Sequence, residues 1–596
     1  MIDWDAAQRR IRQILDESGV PGVGVAYVDT KGASWCGGMG WADVAAKRPV
    51  DADTFFRVGS ISKSVCALAL VRLEEGGAIS LSARVREVAP EVAFDNSWES
   101  ERPLTVAHLL EHTSGFDESR VNEDYDFGAT PRPLREVLEI NPRSRRVRWP
   151  PGARMSYSNE NYLVAGYAIE RITGRRFEDV VAEQIFGPLG MTRSAFSLNP
   201  RIRETLAQGY KGRRRADRAP NDEMLIRPAV SMLSSPREML QYLKLWLNRR
   251  TSLIRESSIE RIESTRTLPY EGPSQRYGLG NDAEQYDGHV GRGHAGITDG
   301  FTASFRYFPK QSCGWVLLFN HQSPGAARSA VEREMLDFLL LEPAPRPRPA
   351  AVPGDELRRW AGYYRCLTPQ YALFAFATEL LGGVRLTVEG DKVLEHGFPR
   401  RNARWTPLSR DAFCRDGESI SSRFLAITDQ GKRALITPAG YFEDASWTAA
   451  VVRRAVFFGA LAVLTCALPA AAVRVCESLC IDEHRGGRSC AVASGDRASL
   501  HNESQLRHNH AWALPLVAAV SLFLLVVLLI RTPQRWGQRN ASTVAASALT
   551  WVFASASIAG LLWARDVYSI APSIAGTLLT LWFWRAGWIG IRLWRF

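Results

Sequence analysis

A serine and a lysine three residues apart at the start of a helix make a minimal nucleophile and base, and the chain carries one such pair, Ser60 and Lys63. In Phe55-Phe-Arg-Val-Gly-Ser60-Ile-Ser-Lys63 an extended approach ends at Gly59, and a helix opens at Ser60 with Ile61, Val65 and Leu68 on its apolar face. That spacing sets the amine one turn above the hydroxyl. The helix N-terminus favours negative charge developing at the hydroxyl. A neutral Lys63 accepts the serine proton only if burial or neighbouring positive charge lowers its pKa. By itself the pattern is weak, because a chain of 596 residues holds about one or two by chance.

Two other stretches carry groups of complementary chemistry. Trp149-Pro-Pro-Gly-Ala-Arg-Met-Ser-Tyr-Ser-Asn-Glu-Asn-Tyr162 contains Tyr157 and Asn159, a hydroxyl that can relay a proton and an amide that can hold a carbonyl. Alone it reads as a Pro-Gly turn entering a helix. His294-Ala-Gly296 precedes an alternating stretch at 301–307. Gly296 would allow a substrate backbone close to that strand. The next amide, at Ile297, would then pair with the amide of Ser60 as an oxyanion hole. A lone histidine among glycines is more often structural.

Taken together and in this order, Ser-x-x-Lys, Tyr-x-Asn and His-x-Gly resemble the serine β-lactamase and penicillin-binding-protein superfamily, in particular its class C and D-alanyl-D-alanine carboxypeptidase branch. The phrases Leu104-Thr-Val-Ala-His-Leu-Leu-Glu-His-Thr-Ser-Gly115, Phe186-Gly-Pro-Leu-Gly-Met191 and Tyr277-Gly-Leu-Gly280 extend the resemblance across about residues 5–340. It implies Ser60 as the acylated nucleophile, Lys63 as its base, Tyr157 as the shuttle to the leaving group and Asn159 as the ligand of the acyl amide. His294 stands where many members have the lysine of Lys-Thr-Gly. A mostly neutral imidazole attracts a carboxylate less than an ammonium does, which argues against true β-lactamase activity. His112 and Ser114 fall in a phrase that looks structural and are left out of the expected site.

The elements that must position these groups follow from periodicity. Alternation at 23–28 and near 33–37, and again at 300–307 and 314–320, predicts strands at both ends of the first 340 residues, with helices between them, one running from Ser60 to the Gly76-Gly77 cap. The expected fold is therefore α/β, a β-lactamase-like sandwich in which an antiparallel sheet is flanked by helices, over residues 1–342. A stiff Pro-rich linker at 343–353 leads to short alternating stretches broken by Glu-Gly-Asp, Arg-Asp-Gly and Asp-Gln-Gly turns, which predict a small β-rich domain over 354–450.

Residues 451–596 differ in kind. Four charge-free apolar runs, 455–473, 511–530, 541–564 and 567–584, each suffice to cross a hydrocarbon layer of about 30 Å. Trp563, Tyr568, Trp582, Trp584 and Trp588 sit near the ends of the last two, where interfacial anchors belong. The expectation is a membrane region of about four helices contacting lipid. A multi-pass inner-membrane location with a periplasmic catalytic domain suits the family resemblance. The opening Met1-Ile-Asp-Trp-Asp, which shows no secretory leader, points the other way, and Arg placement is nearly neutral.

Composition excludes other classes. Net charge is +11, but the Arg residues are scattered, without zinc-finger spacing or aromatic-basic interleaving, so no nucleic-acid partner is expected. Cys476, Cys480 and Cys490 around His484 match no common zinc spacing, and neither metal nor cofactor is expected. The expected activity is hydrolysis of an amide or ester in a small molecule or peptide through a Ser60 acyl-enzyme. The alternative is a membrane sensor that is stably acylated and signals.

Overall fold

Strands from the two ends of the first 340 residues meet in one antiparallel sheet, and their composition says why. They are β1 (Gly22–Val28), β2 (Ser34–Asp43), β3 (Arg48–Pro49), β4 (Asp282–Tyr286), β5 (His289–Thr298), β6 (Phe301–Phe308) and β7 (Cys313–Phe319), in the order β3-β2-β1-β7-β6-β5-β4. The first and last strands of the region pair directly, with Val25 opposite Leu317 and Ala26 opposite Val316. Both faces of this centre are covered, so β1 and β7 are buried along their whole length. Alternation divides their side chains: Val23, Val25, Tyr27, Trp315, Leu317 and Phe319 enter one core, whereas Ala26, Val28, Val316 and Leu318 enter the other.

The computed structural model describes residues 3–455 and 458, apart from 120–124, 127–131, 213–216, 250, 269–276, 323, 340–346, 373–374, 398–400, 417, 419, 429, 439 and 456–457. The expected membrane runs therefore lie outside the described residues except for Ala455 and Phe458, and so does the Cys476–Cys480–Cys490 group. Among the described residues no helix is long and apolar enough to cross a membrane.

Helix α1 (Trp4–Ser18) covers the outer face of the sheet. Asp3 accepts the Ala6 N–H at its start, and Gly19 ends it in the left-handed conformation. Helix α2 (Ser62–Glu75) is buried on all sides from Ser62 to Val71 and is the centre of the inner core. Against it packs α3 (Asn159–Thr173), while α4 (Pro236–Leu247) lies on the sheet. Helix α5 (Ala326–Phe338) joins α1 on the outer face. Within α3, Glu160 is paired with Arg145 at 2.7 Å in a site where neither is appreciably exposed.

The small β-rich domain is a closed antiparallel barrel: β8 (Gly362–Cys366), β9 (Val384–Glu389), β10 (Lys392–Gly397), β11 (Arg401–Pro407), β12 (Ala412–Arg415), β13 (Arg423–Ile427), β14 (Arg433–Thr437) and β15 (Gly440–Ala445). Closure comes from pairing β8 with β15, Tyr364 opposite Asp444, which leaves no open edge. Its interior is filled by Leu386, Val393, Trp405, Phe413, Leu435 and Phe442. Sandwich and barrel belong to one compact unit, which ends at Ala445.

Candidate active site

Ser60 lies in a short 3-10 turn, Gly59–Ile61, immediately before α2, rather than in the α-helix itself. The turn is sharp because Gly59 has φ +58°, a conformation that side chains other than hydrogen rarely adopt. Contact with β5 requires glycine on both sides. A Cβ at Gly59 would lie 2.8 Å from the Ile297 nitrogen, and one at Gly296 would lie 2.0 Å from the Val58 oxygen. The space that Gly296 leaves is thus taken by the Ser60 turn, whereas the sequence suggested a substrate backbone there. The same contact sets the Ile297 amide beside the serine turn, while the Ile297 side chain is exposed.

Two groups converge on the serine oxygen. Lys63, one turn on, places Nζ 3.0 Å from Ser60 Oγ. Tyr157 brings its hydroxyl to 2.9 Å from the same oxygen. Lys63 Nζ also donates to Asn159 Oδ1 at 2.6 Å and to the Ala229 carbonyl at 2.9 Å. Two tyrosine faces flank the amine, Tyr157 at 4.9 Å and Tyr162 at 5.7 Å from ring centroid to Nζ. Burial holds the Tyr157 phenol well above its usual pKa, so it stays protonated and able to donate.

Asn159 is the first residue of α3, and its N–H is capped from outside, by Glu118 Oε1 at 2.8 Å. A carboxylate there satisfies an orphan donor and complements the helix dipole. The other Glu118 oxygen accepts from Gln370 Nε2 at 2.9 Å, and Asp117 Oδ1 accepts the Ala372 N–H at 2.6 Å. Arg148 Nη1 donates to the Pro369 carbonyl at 2.6 Å. The barrel segment after β8 is therefore docked on the residues directly behind Asn159.

His294 lies within β5, not in a loop; Gly291, Gly293 and Gly296 are accommodated in that strand. Its Nδ1 faces the Ala295 carbonyl, which can only accept, so Nδ1 carries the proton. Nε2 then accepts from the Tyr277 hydroxyl at 3.0 Å. Burial, and next the Lys63 charge, push the imidazole down to about 3. His294 is a neutral group with both nitrogens engaged.

The structure thus gathers Ser60, Lys63, Tyr157 and Asn159 by direct contact and sets His294, Gly296 and Ile297 on the adjoining strand. Sequence reasoning missed His112, whose ring centroid is 4.2 Å from that of Tyr157, and Tyr277, which holds His294. Both lie in the phrases that carry the family resemblance, which was the available signal. The phrase that contains His112 folds against the site. Glu118 follows such a phrase closely, and the Ala229 carbonyl has no side-chain signature at all.

A family model described as Beta-lactamase matches residues 7–340. A D-aminopeptidase of Cereibacter sphaeroides is 28% identical over 414 residues, covering 67% of this chain and 74% of that protein. An unguisins hydrolase of Aspergillus campestris is 27% identical over 329 residues, covering 52% of this chain and 60% of its own length. Among solved structures, an octameric penicillin-binding protein homologue from Pyrococcus abyssi matches with a TM-score of 0.50 and 23% identity, over 74% of this chain and 100% of that one, and so shares the fold.

Proposed function

The chain belongs to the beta-lactamase family and is a serine hydrolase, and from that premise we propose that it cleaves amides next to a D-amino acid with a free amine, in the manner of an aminopeptidase or amidase. The observation that carries this reading is the direct contact of Ser60 Oγ with both Lys63 Nζ and the Tyr157 hydroxyl. Lys63, in its neutral amine form, accepts the serine proton as Oγ attacks the carbonyl. Tyr157 passes a proton to the departing amine. The Ser60 and Ile297 amides receive the oxyanion, and Asn159 holds the acyl chain.

Substrate class follows from charge. A carboxypeptidase or β-lactamase of this family needs a cation for the substrate carboxylate, and His294 is neutral with no spare donor. A free substrate amine needs no such cation, and the carboxylates behind Asn159 are engaged within the protein, Asp117 with Arg148 at 3.5 Å and Glu118 with the Asn159 N–H at 2.8 Å. The similarity to a D-aminopeptidase supports the same choice. The test is a panel of D-alanine p-nitroanilide, its L-isomer, N-acetyl-D-alanine p-nitroanilide and benzylpenicillin, read by turnover and intact mass. The D-anilide with a free amine is expected to turn over at least about tenfold faster than the other three. Preference for the acetylated or carboxylate-bearing compounds overturns the reading, and a long-lived adduct without turnover is the result that a sensor would give.

The same proposal extends to location. The charge-free apolar runs at 455–473, 511–530, 541–564 and 567–584 support anchoring through about four helices, with the catalytic region outside the cytoplasmic membrane, where peptides carrying D-residues occur. Protease added to intact spheroplasts is expected to remove the first 450 residues, numbered as in the sequence, and spare the helices. Full protection until lysis places the site in the cytoplasm.

A further inference from the structure

His112 is fully buried behind Tyr157 and has φ +56°. Three other non-glycine residues among those described share positive φ, namely Lys47, Asp287 and Ser312, and none of the three is buried. An unfavourable backbone conformation held inside the core needs surroundings that over-determine it, and such positions gather at functional sites. The surroundings here are the shuttle element itself. The Ser156 N–H donates to the His112 carbonyl at 2.9 Å, and the Ser158 N–H donates to His112 Nδ1 at 3.2 Å. The two residues flanking Tyr157 thus hang from one histidine, and its ring packs on the Tyr157 ring at 4.2 Å with a tilt of 37°.

The tautomer is fixed by the same bonds. Asn161 Oδ1 accepts from Ser114 Oγ at 2.6 Å, so its amide nitrogen is the group that faces His112 Nδ1 at 3.0 Å. Two N–H donors on Nδ1 leave that nitrogen bare and put the ring proton on Nε2. Protonating Nδ1 would break both bonds, and a second positive charge would stand near Lys63. Burial and Lys63 hold the imidazole well below its ordinary pKa.

We infer that His112 is a positioning residue for proton delivery: through one locked tautomer it holds the ring and both backbone neighbours of Tyr157 in register with Ser60 Oγ. This rests on the proposed role of Tyr157 as the shuttle. No bond to the substrate is made or broken by His112. Its loss therefore acts only on steps in which Tyr157 must protonate a leaving group.

Leaving-group dependence tests this. D-alanine p-nitroanilide expels an amine that must be protonated, whereas the p-nitrophenyl ester of D-alanine expels a stable phenolate, and both share one acyl group. In the full-length protein, His112→Phe keeps an aromatic ring and removes the acceptor. Its kcat/KM is expected to fall about 30-fold or more on the anilide and less than about threefold on the ester, as general-acid loss requires. His112→Asn, which restores an acceptor, should recover part of the anilide loss. Asn161→Ala should show the same selectivity in weaker form and serves if His112→Phe does not fold. Tyr157→Phe is the control. If it loses anilide and ester alike, the shuttle reading fails and the inference with it. If it is selective while the His112 and Asn161 variants lose both substrates equally, or lose neither, His112 is structural only. A wild type inert to both substrates removes the proposed substrate class and the premise for His112.

Discussion

Ser60→Ala is expected to abolish covalent labelling and to cut hydrolysis by on the order of 10^4–10^6-fold, the loss expected when a covalent nucleophile is removed. The argument is geometric. Ser60 Oγ has an amine at 3.0 Å and a phenol at 2.9 Å, so both halves of the proton transfer are within hydrogen-bond reach before substrate arrives. The turn that holds it is built for close approach, since neither Gly59 nor Gly296 has room for a Cβ. Intact-mass analysis after exposure to a fluorophosphonate should show one adduct on the wild type and none on Ser60→Ala. Because serine and alanine differ by one oxygen, the variant should keep its fold, and its melting temperature checks that. Equal labelling of both proteins would remove Ser60 from the chemistry.

Lys63→Ala and Tyr157→Phe are each expected to lower amide turnover by about a hundredfold or more, and the double variant to be little worse than the poorer single. The two side chains act on one oxygen, and the Lys63 amine also lies against the Tyr157 ring at 4.9 Å. Groups that serve one proton path lose their value together, so the effects should not add. Lys63→Ala should cost more than a missing base alone, because Asn159 Oδ1 and the Ala229 carbonyl lose the donor that they share. Near-normal turnover in either single variant removes that residue from the mechanism. Strict additivity means that the two act at separate steps.

What the sequence by itself determined was local or periodic. A spacing of three residues is one helical turn, so Ser60 and Lys63 meet whatever the rest of the chain does. Alternation marked β1, β6 and β7, and it marked the small β-rich domain, because a pleated strand sorts its side chains by parity. It did not show that this domain closes into a barrel, since closure depends on β8 meeting β15, about 75 residues apart, and no side-chain pattern encodes that pairing. Tyr157, Asn159 and His294 were legible only as a set, through order and resemblance to a family, because each alone suits an ordinary turn or strand.

Tertiary structure alone decided the rest. His112 reads as a structural residue until α3 packs against its loop and sets the Tyr157 ring at 4.2 Å. Glu118 reads as a surface carboxylate until the helix N-terminus beginning at Asn159 and the barrel residue Gln370, 252 positions away, both point at it. The Ala229 carbonyl that anchors Lys63 belongs to the backbone, which carries no sequence identity. The neutrality of His294 comes from burial and from the Tyr277 hydroxyl on a neighbouring segment. Residue types state which protons a chain can move; the desolvation and long-range contacts that set where those protons sit exist only once the chain has folded.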